Sequence, residues 1–270
     1  MTNGKPNNRI IEMILVDTHS HIYLPEFDKD RADVILNSDK QNIKHIFLPN
    51  IDSSSIESML ELSDKYPNRI YPMMGLHPTS AEDDYENELR IVKEWLNIRK
   101  FYAIGEIGLD YYWDTSFKKE QIIAFETQLH LALEYNLPVV IHVRDAFDDA
   151  LKIINKPEYD NIKGIFHCFT GNLNQAQNII NRGLKLGIGG IVTFKNAGLD
   201  KVVEQIDLNH LVLETDSPYL APAPKRGKRN ESTYLYYIAK KVAELKNTNI
   251  DEVAKITTQN ASEIFKIELS

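Results

Sequence analysis

The 270-residue chain carries 31 Lys and Arg against 39 Asp and Glu, for a formal net charge of −8, with 43% hydrophobic and 26% charged residues. That is an ordinary soluble globular composition with ample chain for a core. The charge excludes the large basic footprint of a protein that wraps duplex DNA, so any nucleic-acid contact has to be local. The single cysteine, Cys168, excludes an intrachain disulfide and agrees with a reducing, cytoplasmic setting. No apolar run approaches a membrane span, and nothing in the composition calls for an obligate protein partner.

Residues 1–12 are polar, lack the apolar core of a signal peptide, and read as a disordered tail; Met13 is then a candidate start and 13–270 a single domain. From there, short β-rich runs alternate with helical patterns. Strands are expected at 13–17, 44–50, 70–75, 101–106, 138–142, 164–167, 184–189 and 211–214. The intervening helices fall near 30–38, 52–65, 85–97, 117–135, 146–154, 173–181 and 199–205, and two more, near 232–245 and 251–265, close the chain. Asp52-Ser53-Ser54-Ser55 supplies N-caps for the second helix, and Ile122, Phe125, Leu129 and Leu133 give the fourth its apolar spacing. Eight strands separated by helices predict a parallel (β/α)8 TIM barrel, with an open doubly wound sheet as the alternative.

In such a barrel the carboxyl ends of the strands form the active face. His19 and His21 stand at the first such end, on one face if the strand continues, and His77 at the third. Glu106 stands at the fourth, His142 at the fifth, His167 at the sixth and Glu214-Thr215-Asp216 at the eighth. A lone His-x-His is weak evidence, and one histidine at a strand end is commonly structural. Four with carboxylates at one mouth are a ligand set for divalent ions, too many for one tetrahedral site but suited to two ions bridged by a carboxylate.

Several stretches resemble the TatD family of metal-dependent deoxyribonucleases, within the amidohydrolase superfamily of barrels. They are Asp17-Thr18-His19-Ser20-His21, Gly75-Leu76-His77-Pro78, Gly105-Glu106-Ile107-Gly108-Leu109-Asp110, Ile141-His142-Val143-Arg144, Phe166-His167-Cys168-Phe169-Thr170-Gly171, Glu214-Thr215-Asp216-Ser217-Pro218-Tyr219-Leu220, Arg226-Gly227-Lys228-Arg229-Asn230 and Asn260-Ala261. The resemblance implies that His19, His21 and Asp216 hold one ion, His142 and His167 a second, and that Glu106 bridges them. The ions would be Mg, Mn or Zn; four imidazoles favour the softer metals. It further implies cleavage of DNA phosphodiester bonds, 3′→5′ on single strands, with Asp216 as ligand and general base. An amidohydrolase-type barrel acting on a small amide, ester or lactone is the alternative.

Around this set, Arg144 has the planar fork suited to phosphate, against a salt bridge with Asp145. Arg226 and Arg229 lie in the one dense basic cluster and read as a local grip on the DNA backbone, against a solvated loop. His77 is divided between touching substrate or supporting the metal site and a structural hydrogen bond before Pro78. Glu214 reads as orienting a ligand. Ser232, where the family pattern has proline, is a candidate cap for the following helix. Tyr111, Tyr112 and Trp113 either stack on bases or pack as a loop, and the glycines at 187–190 either cradle a phosphate or allow close packing. Strand alternation turns Cys168 away from the mouth, into the core.

Overall fold

Eight strands run parallel: β1 (Leu15–Asp17), β2 (Ile43–Pro49), β3 (Ile70–Met73), β4 (Ile104–Asp110), β5 (Val139–Arg144), β6 (Gly164–Phe166), β7 (Lys185–Ile188) and β8 (Leu211–Leu213). They come from a computed structural model that describes residues 13–269; the tail expected over 1–12 lies outside the described residues. The strands pair in sequence order as two ladders, β1 to β3 and β4 to β8. A parallel bridge from Met74 to Ile104 joins the ladders on one side. On the other, the Thr18 N–H and hydroxyl both donate to the Leu213 carbonyl, at 3.1 and 3.0 Å, and Ser20 bridges Ser217. The sheet therefore closes into a (β/α)8 barrel.

The outer ring is α1 (Arg31–Lys40), α2 (Ile56–Lys65), α3 (Tyr85–Ile98), α4 (Lys118–Tyr135), α5 (Phe147–Ile154), α6 (Leu173–Asn181), α7 (Leu199–Gln205) and α8 (Leu235–Leu245), followed by α9 (Ile250–Phe265). A few of their starts carry side-chain caps. Asp52 caps a 3-10 turn over Ser53–Ser55 that leads into α2, and Asn172 and Gln175 form a capping box on α6. Ser232 does not cap α8: a 3-10 turn over Ser232–Tyr234 intervenes, entered from Glu231 without a side-chain cap.

The core has two layers. One lies between strands and helices. The other fills the barrel with inward-facing Val16, Phe47, Tyr71, Met73, Ala103, Val140, Ile165 and Val212, against Ala261, Ile264 and Phe265 of α9. Phe265 stacks on Phe47 with ring centroids 3.7 Å apart, so α9 plugs the end of the barrel opposite the strand termini.

Three details depart from strand-period reasoning. β1 stops at Asp17, two residues before His19, so an irregular segment rather than a strand face aims the two histidines. β4 starts at Ile104 and continues to Asp110, leaving Glu106 within the strand, beside a register irregularity between Ile104 and Ile107. Gly108 makes this extension possible: its φ is +139°, and a Cβ there would lie 2.0 Å from the His142 carbonyl oxygen. β6 ends at Phe166, and Cys168 has a φ of +43°, so alternation does not govern its direction.

Candidate metal centre

Glu106 sits at the middle of the mouth, almost fully buried, and its two oxygens face different partners. Oε2 lies 3.0 Å from His19 Nε2 and 3.5 Å from His21 Nε2. Oε1 lies 2.8 Å from His167 Nε2, 2.9 Å from His142 Nδ1 and 3.3 Å from His77 Nε2. Asp216 closes the first side, with Oδ1 3.6 Å from His21 Nε2 and 3.9 Å from His19 Nε2. The rings of His19 and His167 stack at 3.8 Å.

Burial works against charge on Glu106, but the imidazoles of His167, His19 and His77 outweigh it and hold its carboxyl well below the usual range. Burial and the neighbouring His167 depress His19, keeping it neutral, which is the form that ligates metals. His167 goes the other way: burial disfavours its charge, yet Glu106 and Glu214 raise it well above the ordinary value. Burial lifts Asp216 to about 6, against the pull of His167 and His21.

These residues fit divalent cations. Three ligand triplets each have donor atoms within 4.8 Å of one another: His19, His21 and Glu106; His19, His167 and Asp216; and His77, Glu106 and His142. His19 Nε2 and His21 Nε2 converge to 3.2 Å beside Glu106 Oε2, so that a single cation can meet all three donor atoms. The expected six residues therefore meet at one place, and His77 does both things the sequence allowed: its Nε2 joins them on the His142 side, while its Nδ1 accepts from the Thr79 N–H at 3.2 Å and caps the turn that begins at Pro78.

The supporting residues were only partly visible in the sequence. His142 Nε2 donates to Asp110 Oδ2 at 2.9 Å, which leaves Nδ1 free to face Glu106. Asp110 Oδ1 accepts from the backbone N–H groups of Tyr112 and Trp113. Asp110 ends one of the stretches that carry the family resemblance, but the sequence assigns it no role, although its spacing of four from Glu106 on a strand is a usable signal. His21 Nδ1 bonds to the Tyr23 hydroxyl, which donates to the Pro49 carbonyl. Tyr23 was missed because it lies past the strand end. Asp17, buried below the site, accepts from Thr215 N–H and hydroxyl, and burial raises it to about 7. Glu214, fully buried, lies 3.3 Å from His167 Nδ1 and accepts from the Cys168 N–H, in keeping with an orienting role.

The substrate contacts divide. A cleft of about 490 Å³ over the centre is lined by His77, Trp113, Arg144, Asp216, Tyr219 and Leu220 among others. The Arg144 guanidinium stacks 3.6 Å over the Tyr112 ring rather than turning to Asp145. Arg226 lies over Phe194 at 3.7 Å, exposed. Arg229 is not at the cleft. It grips both carboxylate oxygens of Asp30, at 2.8 and 2.7 Å, donates to the Glu26 carbonyl, and covers the Phe27 ring. A bidentate partner on the entry to α1 claimed this arginine, which a charge run in the sequence does not reveal. The glycines at 187–190 serve packing: a Cβ on Gly187 would fall 2.3 Å from Glu214 Oε2. Cys168, expected in the core, instead lines an adjoining cavity of about 290 Å³ with His142, His167 and Asp216, because its left-handed backbone turns it toward the mouth.

Residues 16–266 match the family described as TatD related DNase. An uncharacterized metal-dependent hydrolase of Bacillus subtilis, YabD, is 41% identical over 94% of this chain and 100% of its own. The 3′-5′ ssDNA/RNA exonuclease TatD of Salmonella typhimurium is 32% identical over 90% of this chain and 95% of its own. Among solved structures, the TatD homolog YJJV of Escherichia coli superposes with a TM-score of 0.88 at 28% identity, covering 94% of this chain and 98% of that one.

Proposed function

The chain belongs to the TatD-related DNase family, and from that membership we propose that it is a metal-dependent hydrolase that cleaves phosphodiester bonds of nucleic acid, single-stranded DNA foremost, in 3′→5′ order. The observation that carries the reading is the division of Glu106: one oxygen serves His19 and His21, the other serves His142, His167 and His77. A carboxylate shared this way suits two cations close together. His19, His21 and Asp216 would hold one and His142 and His167 the other, with His77 beside the second.

Divalent cations in such a site supply Lewis acidity, lowering the pKa of water and offsetting charge on phosphoryl oxygens. The protein's own residues do the rest. Asp216, at the cleft with Oδ1 3.6 Å from His21 Nε2, is the carboxylate that would take the proton a nucleophilic water must lose. Arg144, exposed at the cleft and backed by Tyr112, presents planar donors to a phosphate. Buried Asp110, Tyr23 and Glu214 hold three imidazole rings in place, so little reorganisation accompanies reaction. Among the described residues no helix is long and apolar enough to cross a membrane.

The test is to incubate metal-loaded protein with single-stranded DNA and, in parallel, with a panel of lactones, esters and amides, with metal analysis alongside. Release of nucleotides from DNA with a silent panel is expected, together with near-total loss in Asp216→Asn of unchanged fold. Turnover confined to the panel would transfer the site to amidohydrolase chemistry.

A further inference from the structure

Exposed apolar side chains are usually scattered. Among the described residues nine large ones are exposed, and three of these, Trp113, Tyr219 and Leu220, line the cleft over Glu106, while a fourth, Tyr112, backs Arg144. The clustering is specific to this mouth. Its floor is charged and polar and its rims are aromatic.

The two ring-bearing rims face each other across the centre. Trp113 follows β4 and Tyr219 follows β8, and in a closed ring of eight strands the fourth and eighth stand on opposite sides. Both are anchored by backbone while their rings stay open to solvent, Trp113 at 69% and Tyr219 at 49% exposure. The Trp113 N–H bonds to Asp110 Oδ1, and the Tyr219 N–H bonds to the Asp216 carbonyl at 2.9 Å, with its own carbonyl accepting from Asn230. Each rim is thus tied to a residue of the metal centre. Tyr112 meets Trp113 edge-on at 5.0 Å and carries the Arg144 guanidinium on its face.

We propose that Trp113 and Tyr219 form a base clamp, each stacking on one of the two nucleobases that flank the scissile phosphate, while Arg144 meets the phosphate between them. This inference rests on the phosphodiester reading above and adds a determinant to it: the enzyme requires bases with free faces, not a sugar-phosphate chain alone. A strand of unpaired nucleotides alternates anionic and planar apolar groups, as the cleft does from rim to floor to rim. Stacking on aromatic rings tolerates any base, so the clamp demands a base without choosing its identity. Paired bases hide their faces within the duplex stack, and abasic sites have none.

The experiment compares oligothymidylate with an abasic strand of equal length and charge. The chain has two tryptophans, and the other, Trp95, is half-buried on α3, so Trp95→Phe leaves Trp113 as sole reporter. With phosphorothioate linkages that resist cleavage, oligothymidylate is expected to quench Trp113 in metal-loaded protein and the abasic strand to leave it unquenched. On cleavable substrates, Trp113→Ala and Tyr219→Ala should each raise KM for oligothymidylate by about 5- to 150-fold, the range of stacking losses, with kcat changed far less. For the abasic strand the same variants should shift KM by under about twofold. Equal quenching by both strands, or equal KM losses on both, would remove the clamp, the latter by exposing a merely structural role. Wild-type cleavage of both strands with one KM would remove it too while leaving the phosphodiester reading intact. Cleavage of neither would overturn both.

Discussion

Asp110→Asn isolates what a residue outside the ligand set does for the centre. In the native site Asp110 is 1% exposed and forks: Oδ2 takes the His142 Nε2–H at 2.9 Å, and Oδ1 takes the Tyr112 and Trp113 N–H groups at 2.9 and 3.3 Å. Burial opposes charge on the carboxyl, but the His142 hydrogen bond and the backbone N–H groups hold it below its usual value. For His142 the balance has the same form: burial works to lower it, and the bonds to Asp110 and Glu106 raise it. Asparagine fills the same space, but one arm of its fork becomes a donor. The loop offers two N–H groups, so the amide oxygen stays with them and the amide nitrogen turns to His142. Nε2 must then accept, the ring proton moves to Nδ1, and Nδ1 is the atom that faces Glu106. The variant should fold, because no volume changes and no donor loses its acceptor. It should lose affinity for the ion on the His142 side by about 10- to 100-fold, or about 1.4 to 2.7 kcal/mol, the usual cost of losing a partner behind a metal-bound imidazole. Chelator competition followed by elemental analysis reads each ion, and the His19–His21 ion serves as internal control. Full affinity for both ions in a folded Asp110→Asn protein would refute the tautomer argument.

Three further outcomes are expected. In metal-free protein the Asp216 carboxyl rises from 3.8 to about 6 on folding, so protons favour the folded state; its contribution of about 3 kcal/mol is complete below pH 3.8 and fades as pH climbs through 6. Urea unfolding at several pH values, wild type against Asp216→Asn, measures this, and a pH-independent difference would contradict it. Gly187→Ala drives a Cβ to within 2.3 Å of Glu214 Oε2 and 3.0 Å of the His167 Cα, which should cost about 1–3 kcal/mol in stability and weaken metal binding through His167; thermal melting with metal titration checks both. Arg229→Ala should lower stability by about 1 kcal/mol through loss of the Asp30 pair and the Phe27 contact while sparing KM for DNA, whereas a raised KM would return Arg229 to the substrate path.

The period of apolar runs and the residues that punctuate them determined, from the sequence alone, eight strands in barrel order and the helices between them. The same order of motifs placed His19, His21, Glu106, His142, His167 and Asp216 at one mouth, because a parallel barrel leaves strand carboxyl ends nowhere else to go. Alternation worked where a strand was long: Val140 faces the barrel interior and His142, two residues on, faces the centre. It failed where the strand had already ended, at Cys168, whose left-handed backbone sends its side chain into the mouth. Choices between partners far apart in the chain were also closed to it. Arg229 and Arg144 are both exposed-looking arginines on the active side, and only packing shows that Asp30, 199 residues away, takes the first while Tyr112 holds the second at the cleft. Sequence order thus decided which groups reach the mouth, since covalent connectivity and strand period act locally. Which ring nitrogen, carboxylate oxygen or guanidinium faces the centre depends on hydrogen-bond competition among groups brought together by barrel closure, and only the tertiary structure decided that.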